Sequence, residues 1–204
     1  MPPRYYVCSS CEEGGWFSMA GRRDEVLDAA ISVLAAGGLR RLTYQAVDGA
    51  AGVPAGTTSN HFRTRDALVD GVVAHLEQLD RRDWESFAGL PLPQGIDALA
   101  LALARMVEHL LGPARDRTGA RYALLLEGIA RPSVREPLVR GRESLVRWSA
   151  QWLRAAGSPE PEEHCRVLFD LLDGMMFHQI TLPADDFRAE PAIRRVLPAF
   201  LPRG

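Results

Sequence analysis

From Arg22 to the end of the chain, apolar residues recur at three- and four-residue spacing, and no stretch alternates with period two between turn signals. That periodicity builds helices and not sheets, so the expected fold class is all-α. The first helix carries Val26, Leu27, Ala30, Ile31 and Leu34 on one stripe. It should stop at Gly37-Gly38, because glycine readily takes the left-handed conformation that closes a helix. Thr43 offers a capping hydroxyl to a helix from Tyr44 to about Ala51, which Gly52 ends. A short helix then opens at Pro54 or Ala55 and runs to His61, with Phe62 turned back to the core. Thr64 caps the next helix, and Asp66 in its first turn suits the helix dipole.

That fourth helix continues through Leu68, Val72, Leu76 and Leu79 to about Phe87. Leu90-Pro91-Leu92-Pro93-Gln94-Gly95 is a break. Further helical patterns cover Ile96 to Leu111, Gly119 to Ala130, Val134 to Ala156, Glu160 to Leu182 and Pro191 to Leu201. Residues 1–20 show no periodicity, contain Pro-Pro, Ser-Ser and Gly-Gly, and read as a disordered extension, with Met19 a candidate translation start. The expected organisation is therefore an extension over 1–20, a three-helix helix-turn-helix domain over 21–68 and a second helical domain over 69–204.

The stretch Ala55 to His61 (AGTTSNH) is polar and has poor helix propensity. Neighbours must hold such a helix, and its polar side is available to a partner; the major groove of double-stranded DNA is the partner we expect. Charge gives limited help. The net charge is −2, while Met19 to Val69 carries six arginines against five acids. All 24 basic residues are arginine, so every cation can make planar bidentate contacts to phosphate or guanine.

Composition closes other routes. No apolar run approaches the ~18 residues that span a bilayer, and the first residues lack a signal-peptide pattern, so a cytoplasmic protein without a membrane partner is expected. Cys8, Cys11 and Cys165 are too few and too odd for a disulfide framework. Cys8-x-x-Cys11 has metal-ligand spacing without a second pair in reach, so no metal or cofactor is expected. No Ser-His-Asp set, Gly-rich phosphate loop or HExxH motif is visible, and the chain is not expected to be an enzyme.

An apolar helix ending in Gly is followed by Thr43, Val47, Ala51-Gly52-Val53, Gly56-Thr57, His61-Phe62 and Arg65-Asp66-Ala67-Leu68. On these residues the chain resembles the TetR family of bacterial transcriptional regulators. It departs from the family pattern at three places. Pro54 stands where a capping Ser or Thr is usual, Ser59-Asn60 replaces an aromatic pair, and Asp48 occupies a position that is commonly small and apolar.

The resemblance implies a homodimer that binds a pseudo-palindromic operator, a repressor more than an activator, released by a small-molecule effector whose identity the sequence does not carry. The alternative is a helical ligand-binding or interaction protein with a degenerate helix-turn-helix. For DNA contact the candidates are Arg40, Arg41, Thr43, Ala55, Gly56, Thr57, Ser59, Asn60, His61, Arg63 and Arg65. Hydroxyls at helix N-termini suit phosphate oxygens. Ala55 and Gly56 suit either close backbone approach or packing on the preceding helix, and Asn60 can pair bidentately with adenine.

For the effector pocket, the adaptable and aromatic candidates are Trp84, Phe87, Met106, His109, Tyr122, Glu127, Trp148, Met176 and His178. For the dimer face they are Leu138, Leu145, Trp152, Leu168, Leu171 and Met175, on the two longest helices of the second half.

Overall fold

The computed structural model describes residues 19–88 and 95–201. Every regular element among them is helical: α1 (Met19–Arg41), α2 (Tyr44–Ala51), α3 (Thr57–His61), α4 (Arg65–Ala88), α5 (Gly95–Leu111), α6 (Arg115–Gly128), α7 (Pro132–Ala155), α8 (Pro161–Thr181) and α9 (Ala189–Val196), then a 3-10 turn over Leu197–Ala199. The expectations for residues 1–18, including Cys8 and Cys11, and most of the Leu90–Gly95 break lie outside the described residues. Among the described residues, no helix is long and apolar enough to cross a membrane.

The local signals act as their chemistry requires. Gly38 leaves helical geometry at φ 65° and ψ −173°, so α1 breaks there and its last turn swings round to bury Leu39. Thr43 Oγ1 accepts the Ala46 N–H at 3.2 Å, Gly52 ends α2 in the left-handed region, and Thr64 Oγ1 accepts the Ala67 N–H at 3.0 Å. Two helices start earlier than their apolar patterns. α6 opens at Arg115, where the buried Thr118 hydroxyl donates to the Leu110 carbonyl of α5 at 2.7 Å. α9 opens at Ala189, with Pro191 in its first turn, where a missing N–H costs nothing.

Two apolar cores result. The N-terminal core gathers α1 to α4, including Val26, Leu34, Val47, Phe62 and Leu68, and it does not end at residue 68: Val72, Val73 and Leu76 of α4 belong to it. So do Ala120 and Leu124 of α6 and Val134 of α7. The second core joins α5, α7, α8 and α9 around Leu103, Val107, Leu153, Leu168 and Ile193. Helix α6 thus packs against α1 on one side and the second core on the other. Gly71 sets the spacing of α4: a Cβ there would stand 2.5 Å from Phe62 Cε1 and 3.3 Å from Leu27 Cδ2.

Candidate nucleic-acid interface and regulatory cavity

The short polar helix begins later than its sequence suggests. Pro54 and Ala55 are not helical; the Thr57 N–H and hydroxyl both donate to the Pro54 carbonyl, at 3.1 and 2.6 Å, and α3 opens only at Thr57. Gly56 occupies the cap position with φ 92°, a conformation that disfavours any residue with a side chain, and it supplies no capping group. The cap comes from the preceding helix. Asp48, 4% exposed on α2, accepts the Gly56 N–H at 2.7 Å, the Thr58 N–H at 2.8 Å and the Thr58 hydroxyl at 2.5 Å. Burial raises the Asp48 pKa, but the hydrogen bonds from Thr58 and Gly56 outweigh it and hold the carboxyl below its ordinary value. Two of the unusual residues explain one another. Where Pro54 removes a capping hydroxyl, Asp48 reaches across the turn and replaces it.

Around α3, the side chains of Arg40, Arg41, Thr43, Ala55, Asn60, Arg63 and Arg65 are exposed, while Gly56, Thr57, Ser59 and His61 are half-buried. Several are already engaged. The Ser59 hydroxyl donates to the Gly56 carbonyl at 2.9 Å, the Thr57 hydroxyl proton is committed to Pro54, and Arg65 donates to the Leu39 carbonyl at the end of α1. Asn60 and Arg63 project outward without an intramolecular hydrogen bond among the described residues.

Between α4, α5, α6, α7 and α8 lies a cavity of about 370 Å³. Its apolar wall includes Val73, Leu76, Met106, Leu125, Leu145, Phe169, Leu172 and Met176. Charge enters as pairs. Arg121 of α6 donates to Asp80 Oδ2 of α4, and Arg142 of α7 donates to Asp173 of α8 at 3.1 Å and Asp170 at 2.7 Å. Burial pushes the Asp173 carboxyl above its usual value, with Arg121 and Arg142 partly opposing it. The Tyr122 hydroxyl donates to the Asp173 backbone carbonyl at 2.9 Å, and burial raises that phenol's pKa. Among the described residues, no cluster of three or more His, Cys, Asp or Glu side chains could hold a metal ion.

Residues 26–72 match the family described as bacterial regulatory proteins, tetR family, and residues 94–203 match the tetracyclin repressor-like C-terminal domain. The chain belongs to the TetR family. It is a transcriptional regulator with an N-terminal helix-turn-helix domain and a C-terminal helical domain. A TetR-family member from Streptomyces coelicolor A3 is 28% identical, with a TM-score of 0.70, over 89% of this chain and 99% of that one. The multidrug binding protein EbrR complexed with ethidium is 26% identical, with a TM-score of 0.65, over 89% of this chain and 99% of that one. Complexed with malachite green it aligns at 29% identity and a TM-score of 0.64, over the same shares. No curated protein matches this chain.

Within this regulator, the residues expected at a pocket divide. Met106 and Met176 line the cavity, and Tyr122 lies behind its wall on Asp173. His109 instead bonds Asp83 at 2.9 Å, Glu127 pairs with Arg131 at 2.7 Å, Trp148 lies under the Arg81 guanidinium at 5.5 Å, and His178 is exposed. The side chains of Trp84 and Phe87 lie outside the described residues. Of the residues expected on a dimer face, Trp152 and Leu168 are buried in the second core, while Leu138 and Leu145 line the cavity; these four are corrected to interior positions. Leu171 and Met175 remain half-buried on α8.

Asp80, Arg121 and Asp173 were not expected at the cavity. The signal was present: Asp80 lies four residues after Leu76, and Asp173 between Phe169 and Met176, each putting a carboxylate on an apolar helical stripe.

Proposed function

We propose that the chain is a homodimeric repressor that reads a pseudo-palindromic operator through α3 and is released when a small molecule fills the cavity. The observation that carries the coupling is the position of α6. Ala120 and Leu124 are buried in the core of the DNA-binding domain, while Arg121 and Leu125, one residue on in each case, line the cavity. Val73 and Leu76 of α4 belong to both the cavity wall and that core. A ligand that displaces α6 or α4 therefore displaces the base on which α1 to α3 rest. In a dimer, that changes the separation of the two recognition helices from about one DNA turn, ~34 Å.

Asn60 is placed to read a base edge. Arg40, Arg41, Arg63 and the Thr43 hydroxyl are placed around it to grip phosphates, with Arg65 dividing its guanidinium between this rim and Leu39. For the dimer face we favour the outer side of α8. Val167 and Leu182 are 45% and 74% exposed there, Leu171 and Met175 lie between them, and a Cβ at Gly174 would meet nothing, leaving room for a second helix. EbrR is a multidrug binding protein solved with several small molecules, which supports reading the cavity here as an effector site.

Footprinting on the DNA upstream of the chain's own gene tests the reading. A protected inverted repeat, lost when a cavity ligand is added, is the expected result. No retardation of that DNA even at low salt would favour a ligand-binding or interaction protein instead. Unchanged operator affinity with a ligand demonstrably bound would defeat the release mechanism. Light scattering at micromolar concentration should give twice the monomer mass.

A further inference from the structure

The charged pairs around the cavity are not equally complete. Arg81 bonds Glu77 at 2.9 Å and the Ser144 hydroxyl at 2.8 Å, and Arg142 spans Asp170 and Asp173. Arg121, by contrast, engages only one oxygen of Asp80. The other, Oδ1, belongs to a residue that is 7% exposed and has no hydrogen-bond partner. A buried carboxylate oxygen without a donor is costly, and the vacancy is filled if a ligand brings one.

We propose that the cavity selects planar aromatic cations, with Asp80 Oδ1 facing the cationic nitrogen and Met106, Phe169 and Met176 packing the ring system. This rests on reading the cavity as the effector site, and adds the charge and shape of what enters it. A delocalised cation is weakly hydrated and enters an apolar site at less desolvation cost than an ammonium does. The thioethers of Met106 and Met176 adapt to a flat ring, and the cavity volume lies within the range of about 300–1,000 Å³ usual for small-molecule sites. Ethidium and malachite green, the dyes found with EbrR, are both aromatic and carry delocalised positive charge. Of the cations lining the cavity, Arg135 alone lacks an acidic partner among the described residues, and it stands exposed. An anionic ligand would have to be held there, away from the buried pairs.

Fluorescence titration of the full chain without DNA, at pH 7.5, compares proflavin (cationic), acridine (uncharged) and anilinonaphthalene sulfonate (anionic). The expected result is proflavin bound about tenfold or more tighter than acridine, the value of one charge-assisted contact. Asp80→Asn should reduce that preference to about threefold or less, leaving acridine binding unchanged, and Arg121→Gln should retain it. If Asp80→Asn does not give a cooperative melt, the wild-type preference and its retention in Arg121→Gln decide.

Acridine or the sulfonate binding as tightly as proflavin overturns the charge assignment and leaves the effector-site reading standing. An undiminished preference in folded Asp80→Asn overturns the role of Asp80. Binding of none of the three dyes overturns both the proposal and the effector-site reading.

Discussion

Replacing Asp48 with asparagine isolates the contact that starts the recognition helix. The carboxylate receives three donors from Gly56 and Thr58. Hydrogen bonds to a charged group contribute about 1.5–3 kcal/mol each, against about 0.5–1.5 for neutral ones. Asparagine keeps one acceptor oxygen and turns an N–H₂ group toward donors that cannot use it. The local loss should be about 2–4 kcal/mol, falling on Gly56 to His61 and sparing the apolar core. At 2 kcal/mol the Thr58 amide exchanges about 30-fold faster, which native-state hydrogen exchange by NMR resolves residue by residue. Operator affinity should fall as well, because only the fraction of chains with α3 formed can bind.

The pH dependence has a defined sign. The folded carboxyl lies below its ordinary value of 3.8, so its stabilisation is complete above that value and is lost only as pH falls through the lowered one. In Asp48→Asn that dependence should vanish. A Thr58 amide whose exchange changes less than about threefold, in a protein folded elsewhere, would refute the capping argument.

Asn60→Ala should weaken operator binding by about 1–3 kcal/mol while leaving non-specific binding nearly unchanged; equal losses on both DNAs would remove its base-reading role. Arg63→Ala should flatten the slope of log K against log[salt] by about 0.9 without altering the melting temperature. Arg65→Ala should also lower the melting temperature, since its guanidinium holds the Leu39 carbonyl, and an unshifted melt would show that contact to be unimportant. Burial pushes the Cys165 thiol up to about 12, with Arg142 and Arg166 only partly opposing it. Peptide mapping after alkylation at pH 8 should therefore find Cys165 unmodified in the folded protein and modified in denaturant.

The helices could be read in the sequence because their stripes repeat every three or four residues and because Thr43, Gly52 and Thr64 are local signals. What escaped was tertiary. The start of α3 depends on a carboxylate ten residues before Thr58, and nothing within Pro54–Gly56 announces it. Asp48 was visible as an anomaly, but its purpose required the turn that brings α2 and α3 together. The cavity escaped because choosing aromatic and methionine residues selects core as readily as cavity wall: Met106 and Met176 line it, while Trp152 fills the interior. Arg121 resembles any solvated helix cation until α4 and α6 are side by side.

Because Leu124 and Leu125 are neighbours on one helix facing opposite neighbourhoods, the regulator cannot tune its two affinities in isolation. A change that reshapes the Leu125 side to admit a new compound also moves the backbone carrying Leu124. Variants selected for an altered inducer should therefore accumulate second changes on the α1 face of α6, restoring repression that the first change weakened. A genetic screen for inducer specificity in this protein is at the same time a screen for leaky expression.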